Sequence, residues 1–549
     1  MAKTKSTLKD DQNSKPEQGI TKISVSGYKS LAEECSIEIA PLTILSGANS
    51  SGKSSIMQPL LLMKQTLEST YDAGSLKING ANVRLTSTDQ IFTKELSNTS
   101  GYLDSKNSFS VSIELDRKKR LKNTFKKGDK FTGIRIFSST YSTREKGNNI
   151  NISLNSDMTH EQIFNSLPIY LQDFYQGKYA KEKEILNDFM LVYESEGIKF
   201  IPSSLLENRF PEIKTQYLEA PQDLVQSLQK DNLRQKEFEE GFRKRKMENT
   251  TKILNDFYRF SVKTFKCFLY IDSLFLASNF SINSYQYPSL SYQYPDLLNL
   301  FDNRGLCQSI ERQIRQLIHV PGLRGNPERT YHIASVNSEF TGTFENYAAS
   351  IIHFWKITKD KRLKILGEAL QTLGLTWKVD TKQIDDTQVE VRVGRLKNKR
   401  NSQSTDMVSI ADVGFGLSQT LPVVVALLVA EPEQLVYLEQ PEIHLHPRAQ
   451  ANLAQLLVDA ANRGVRVVVE THSELLIRRV QSLIAEDKID AEKVKLHWFS
   501  QDDNGFTKVT TAELDETGAF GDWPEDFSEI SLQEESRYLD AAESKLMAV

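Results

Sequence analysis

Ten residues near the start of the chain, "SGANSSGKSS" from Ser46 to Ser55, have types and spacing suited to phosphate. Gly47 to Ser54 fits G-x-x-x-x-G-K-[ST]. Gly47 and Gly52 let the backbone N–H groups of Ala48, Asn49, Ser50 and Ser51 turn inward around phosphate oxygens. The N-terminus of a following helix, with Ser55 in its first turn, adds partial positive charge. In such a loop Lys53 reaches the β- and γ-phosphates and the Ser54 hydroxyl binds Mg2+. The candidate ligands are therefore a nucleoside triphosphate and Mg2+. The loop alone does not separate kinases, GTPases and ATPases.

Three distant segments narrow the choice. "LVYLEQPE" is an apolar strand ending in Glu439, where an acid can hold Mg2+ through its water shell. "VRVVVETHSE" reads as a second apolar strand, ending in His472, which can donate to a γ-phosphate edge. Between the loop and Glu439, "ADVGFGLSQTLP" places Gly414 and Gly416 before Ser418, Gln419 and an apolar run. That is a second helix start open to an anion. Each piece alone also fits a core strand or a capped helix; the four in this order form a set. Gln90, in "RLTSTDQIF", is a candidate for a Mg2+-linked glutamine and equally a polar loop residue. His444 and His446 flank Leu445, but no Cys or third His lies near. Pro447 reads as the first residue of a helix, so a loop near the nucleotide is favoured over a metal pair.

The elements that must position these residues follow from pattern and composition. The chain has 549 residues, 39% hydrophobic and 26% charged, with net charge −4. That is an ordinary globular composition of more than one domain. Three well-separated cysteines, Cys35, Cys267 and Cys307, make no disulfide framework and fit a reducing cytoplasm. No run of about 18 apolar residues is present, so no membrane span is expected. Residues 1–18 are polar and read as a disordered tail.

"ITKISVSGYKSL" and "CSIEIAPLTILSG" read as two strands around a turn, followed by a helix in which Pro59 should kink or perturb the second turn. "KKRLKNTFKKGDK" reads as a basic segment between strands. Residues 159–317 read as a helical insertion, with "SYQYP" twice in a loop. Strand-like "WKVDTKQIDDTQVEVRVGRL" precedes the basic loop "RLKNKRNSQST", and strands then alternate with helices, which implies a parallel sheet with helix crossovers. Asp502 and Asp503 read as a β-turn. The division expected is a tail (1–18), an N-terminal lobe (19–158), the helical insertion (159–317), a C-terminal lobe (318–517) and an acidic segment (518–549). The fold class expected is α/β with a mixed sheet.

The four motifs together resemble ABC-type ATPases of the structural-maintenance, RecF and overcoming-lysogenization-defect kind. "VSGYKSL" resembles the strand-turn before the phosphate loop, "VGFGLSQ" stands in the place of the ABC signature, "YLEQPEIHLHP" in that of Walker B and "ETHSE" in that of the switch histidine. The resemblance covers roughly residues 19–100 and 320–520. "PGLRGNPERTYH" and "WPEDF" are also similar to the short branch found in bacterial defence operons, the Septu-type ATPases, including the retron-linked version encoded beside an HNH nuclease. The resemblance implies an ABC- or RecA-like head and a head-to-tail homodimer. ATP would sit between Lys53 of one chain and the Gly414–Gln419 segment of the other. It also implies an HNH-type nuclease as partner, with a reverse transcriptase and its reverse-transcribed DNA as further company.

The chain departs from that pattern after the Walker B acid, where a water-activating glutamate is usual and Gln440 stands here. An amide orients water but cannot take its proton, and such help is worth roughly 10²–10⁴-fold. Either Glu442 takes the role or turnover is slow. Three basic clusters, Arg117–Lys130, Arg243–Lys246 and Arg395–Arg400, could line a groove for a nucleic-acid backbone or simply be solvated faces. The two functions expected are a gating ATPase of an antiphage assembly and a repair or structural-maintenance ATPase acting on DNA itself.

Overall fold

"LTILSG", "LVYLE" and "RVVVE" are too continuously apolar to alternate, as strands covered on both faces must be. The computed structural model lays them side by side. It describes residues 19–96, 103–105, 107–116, 118–128, 133–145, 148–159, 162, 165, 189–194, 197–202, 259–274, 303–335, 339–395, 406–521 and 536–540.

The chain forms two compact units, Met1–Asn149 with Thr264–Phe268 and Leu306–Val549 in the first, and Ile150–Lys263 with Leu269–Gly305 in the second. At the centre of the first is a mixed sheet. Its spatial order is Ile318–Val320, Leu435–Glu439, Arg466–Glu470, Leu42–Gly47, Val494–Gln501 and Thr507–Ala512. All neighbours are parallel except the last pair. Helices Phe415–Val429, Pro447–Asn462 and Glu474–Ala485 contribute Leu421, Val425, Leu453, Leu457, Ile477 and Val480 to the same buried core as Ile44, Leu438 and Val469. Each such side chain taken from water is worth ~1.5–3 kcal/mol. The arrangement is α/β with a mixed sheet, as the pattern implies.

A second sheet runs Cys35–Glu38, Ile20–Ser26, Ser108–Leu115, Lys119–Lys127 and Ile134–Glu145 in spatial order, antiparallel throughout. A third joins Tyr331–His332, Gln388–Gly394 and Val379–Gln383, with Met407–Ser409 paired to Gln388–Gly394. Among the described residues of the second unit, Phe189–Glu194 and Gly197–Pro202 form an antiparallel hairpin.

Three expectations need correction. "CSIEIAPLTILSG" is two strands, Cys35–Glu38 and Leu42–Gly47, in different sheets. Pro41 between them has no N–H to give a ladder, so the chain changes sheet there. The basic run is itself a strand. Leu121, Asn123 and Phe125 point inward while Arg120, Lys122 and Lys126 alternate outward, a period of two that the lysines obscure. "VRVVVETHSE" leaves the sheet at Glu470, two residues before His472, because Ser473 caps the next helix with a bond from Leu476 N–H at 3.2 Å. The helix Lys53–Leu67 includes Pro59, which has no N–H to donate to Ser55 O. The disordered tail, most of the helical insertion, the SYQYP duplication, Arg243–Lys246, residues 396–400 of the third basic cluster and most of the acidic segment lie outside the described residues.

Candidate nucleotide site

The chemistry gathers at the carboxyl ends of the parallel strands, where open α/β sheets hold their ligands. Gly47 ends one strand with φ 142° and Gly52 precedes the helix with φ 99°. A Cβ would lie 2.1 Å from Phe499 O at Gly47 and 2.3 Å from Thr507 Oγ1 at Gly52. Only glycine fits either position. The loop is held from behind: Gln501 Nε2 donates to Ser50 O at 3.0 Å, and Thr507 Oγ1 to Ser51 O at 2.8 Å. Lys53 is buried and donates to Gly47 O at 3.1 Å and Ala48 O at 2.6 Å. Burial lowers its pKa, opposed by the charge of Glu470. Ser51 N–H turns back to Ala48 O. Among the described residues, no hydrogen bond within the chain takes up the N–H groups of Asn49, Ser50 or Gly52. Ser51 Oγ is buried without a partner. Inward donors beside a lysine match the oxygens of a triphosphate.

Two carboxylates face this loop. Glu439 and Glu470 are register partners on adjacent parallel strands, and Glu470 in turn is opposite Leu45. Ser54 Oγ donates to Glu470 at 2.9 and 3.0 Å, and Tyr437 OH donates to it at 3.0 Å. Burial raises the pKa of Glu470 against these bonds. Glu439 is fixed differently: Gly322 N–H donates to Oε2 at 3.0 Å, and His319 Nε2 lies 3.1 Å from Oε1. Burial pushes Glu439 up, but His319, Gly322 N–H and Arg324 together hold it below the usual carboxylate range. His319 stacks on Tyr437 with centroids 5.4 Å apart, and its Nδ1 lies 2.9 Å from Asn82 Oδ1. No group of three or more His, Cys, Asp or Glu side chains able to hold a metal stands among the described residues. Mg2+, which keeps waters and phosphate oxygens beside one or two carboxylates, suits Ser54, Glu439 and Glu470 with a nucleotide.

Beyond Glu439 the backbone is strained. Gln440 has φ 42° and its N–H donates to Glu470 O at 2.8 Å. A non-glycine residue there costs of order 1–3 kcal/mol, and such outliers collect at functional sites. Glu442 is buried. Its Oε1 accepts from Thr471 Oγ1 at 2.6 Å and from His472 N–H at 3.0 Å, while Oε2 has no partner. Burial raises its pKa. His472 is half-buried in the turn that Glu442 fixes, and burial and then the Lys53 charge lower its pKa.

At the second helix start, Gly414 is the N-cap of Phe415–Val429, exposed and with open space around it. Gly416 packs so that a Cβ would meet His444 O at 3.0 Å. Two residues expected to bind here face inward instead. Ser418 Oγ donates back to Phe415 O at 3.0 Å, and Gln419 Nε2 donates to Gly325 O at 2.9 Å. The donors this helix start leaves open are thus backbone N–H groups at 414–416, which precede its intrahelical bonds, because helical periodicity turns 418 and 419 into the core. Gln90 is exposed and committed to a cap: its Oε1 accepts from Thr86 N–H at 2.9 Å and Ser87 N–H at 3.3 Å. No hydrogen bond among the described residues ties it to Ser54 or Glu439. His446 caps Pro447–Asn462, accepting from Arg448 N–H at 3.4 Å.

Sequence reasoning missed Glu470, His319 and Arg324. Glu470 could have been found as the polar end of an apolar strand, in parallel to Glu439. Arg324 is buried with its pKa lowered by burial to about 10, and its guanidinium meets backbone carbonyls.

The model of the AAA ATPase domain matches residues 19–477. The chain belongs to the AAA ATPase domain family, and it is an ATPase by class. No curated protein matches it significantly. Among solved structures it is similar to the Smc head domain of Pyrococcus yayanosii with a coiled coil and joint. That match has 13% identity and a TM-score of 0.36, over 95% of this chain and 100% of that one. It is also similar to the Pyrococcus furiosus Smc head bound to the C-terminal domain of ScpA, with 11% identity and a TM-score of 0.35 over 90% and 96%. The SMC head domain from Thermotoga maritima matches with 10% identity and a TM-score of 0.31 over 90% and 100%. The family assignment rests on the sequence match and not on these neighbours. No helix among the described residues is long and apolar enough to cross a membrane.

Proposed function

We propose that the chain is a slow, Mg2+-dependent ATPase that acts as the sensing and gating subunit of an antiphage assembly, with a separate nuclease under its control. The observation that carries the ATPase part is the meeting of Lys53, Ser54, Glu439, Glu470 and the His472 turn at one end of a parallel sheet. Lys53 would exchange the carbonyls of Gly47 and Ala48 for phosphate oxygens. Ser54, Glu439 and Glu470 would hold Mg2+, which neutralises phosphate charge. Gln440 would orient water without taking its proton, and Glu442 would fix the His472 turn through its Oε1. ATP would close a head-to-tail dimer on the Gly414–Gly416 helix start of a second copy. Exposed Phe415 and Ile443, with Phe415 6.2 Å from the His444 ring, give that face an apolar rim suited to such closure.

The gating role rests on the resemblance of "PGLRGNPERTYH" and "WPEDF" to Septu-type defence ATPases, which implies an HNH nuclease partner and, in the retron-linked form, a reverse transcriptase. The test is affinity purification with the products of the flanking genes, with and without ATP. Recovery of a nuclease whose cutting depends on nucleotide state is expected; recovery of none, in either state, counts against it. The second reading, direct action on DNA, is favoured by the outward row Arg120, Lys122 and Lys126, although Glu34 pairs with two of these at 3.3 and 2.9 Å. Affinity for duplex DNA that falls steeply with salt would support that reading.

A further inference from the structure

Arg324 belongs to none of the phosphate-binding segments, yet it is 7% exposed and joins three of the chain's parts. Its Nε donates to Pro321 O at 2.9 Å, within its own loop. Nη1 donates to Gln419 O at 3.0 Å, in the first turns of the Phe415–Val429 helix. Nη2 donates to Glu439 O at 2.9 Å and Gln440 O at 3.4 Å, at the end of the neighbouring strand. Gln419 Nε2 returns a bond to Gly325 O at 2.9 Å, and Gly322 N–H reaches Glu439 Oε2 at 3.0 Å. None of the ion pairs among the described residues includes Arg324. Its charge is offset at longer range by Glu345, Glu442 and Glu439, but every hydrogen bond it makes goes to a backbone carbonyl, an expensive choice for packing alone. What it provides is a rigid fork of five donors that can span two elements, which an ammonium cannot match.

We infer that Arg324 is the positioning residue that fastens the helix start at Gly414–Gln419 to the strand end at Glu439–Gln440, so that the two shift as one body. Its consequence for function rests on the ATP reading above. The helix start would meet the triphosphate of a second copy, and the strand end the chain's own. A rigid tie between them makes occupancy of one composite site bias the other.

Hydrogen exchange by mass spectrometry on the full chain, as wild type, Arg324→Gln and Arg324→Lys, tests the tie. Without nucleotide, peptides covering 415–421 and 439–443 should both exchange faster in Arg324→Gln, by about tenfold or more. Peptides covering 53–67 and 466–470 should hold their wild-type rates, and Arg324→Lys should fall between. With Mg2+ and a slowly hydrolysed ATP analogue, wild type should be slowed at 47–54 and at 415–421 together. Arg324→Gln should keep the first effect and lose the second. Loosening of only one of the two segments, uniform loosening of every peptide, or a nucleotide response at 415–421 that survives in Arg324→Gln overturns the proposal. If wild type shows no protection at 47–54, it is the ATP reading that fails, and the nucleotide-free comparison still decides the role of Arg324.

Discussion

Ser54 and Glu470 show how much rides on single atoms. The hydroxyl expected to serve Mg2+ donates to both oxygens of a buried carboxylate that in turn is steadied by Tyr437. Glu470→Gln keeps the shape and removes the charge, so it should raise the Mg2+ concentration needed for half-maximal hydrolysis by about 10–100-fold, the usual cost of disturbing groups around a metal. Titration of activity with Mg2+ reads this directly; an unchanged midpoint removes Glu470 from the metal's surroundings. The neighbouring Gln440 makes the opposite case. Gln440→Glu should raise turnover, within the roughly 10²–10⁴-fold that a positioned base supplies. Glu442→Gln should leave the wild-type rate within a few-fold if Glu442 only fixes the turn. Single-turnover measurement of both variants separates the two acids. The phosphate loop was legible because its chemistry is local: the open N–H groups of Asn49, Ser50 and Gly52 and a lysine come from eight consecutive residues. Glu470 was missed because its strand was read through to His472, past the acid that ends the apolar run; only the register that sets it beside Glu439 is non-local.

At the scale of elements, packing around two glycines sets what the loop and the helix start can be. Gly47→Ala demands a Cβ 2.1 Å from Phe499 O at φ 142°, so it should cost about 3 kcal/mol or more and abolish nucleotide binding. Gly416→Ala meets His444 O at 3.0 Å, a tighter contact than most but one that a small shift relieves. It should cost about 1–2 kcal/mol and weaken ATP-driven dimerisation. Thermal unfolding and light scattering with nucleotide check both. Gly416→Ala that dimerises like wild type would mean the helix start does not face a second copy. Most elements were legible from period and length, as with Leu435–Glu439 and Pro447–Asn462. The errors came where charge masked alternation, as in Lys119–Lys127, or where one apolar run served two sheets, as on either side of Pro41.

For the molecule as a whole, three histidines among the described residues report on acid. His353, His472 and His497 have lowered pKa values, burial being the largest cause in each. His497 is fully buried, with Nδ1 2.9 Å from Thr511 Oγ1. In the unfolded chain such groups titrate near about 6.5. Below that the unfolded state binds more protons than the folded one, so stability is lost as pH falls from about 6.5 toward the depressed folded values. Each histidine contributes at most ~1.4 kcal/mol per pH unit in that window. Buried Glu442 and Glu470, whose pKa values burial raises, work in the opposite sense, so the test is a difference: between about pH 7.5 and pH 5.5 the unfolding midpoint of His497→Gln should lose less than that of the wild type. Curves for His497→Gln and wild type that run parallel over that range would contradict this assignment.

The Leu42–Gly47 strand, which delivers the phosphate loop, is flanked on one side by Arg466–Glu470 and on the other by Val494–Gln501. Both neighbours leave the ribosome more than four hundred residues later. At about 5–20 residues per second, the lysine-bearing turn waits tens of seconds with two naked edges before translation supplies its walls. A chain stopped early therefore cannot assemble the loop between its proper neighbours, and while it waits it is a natural client for chaperones.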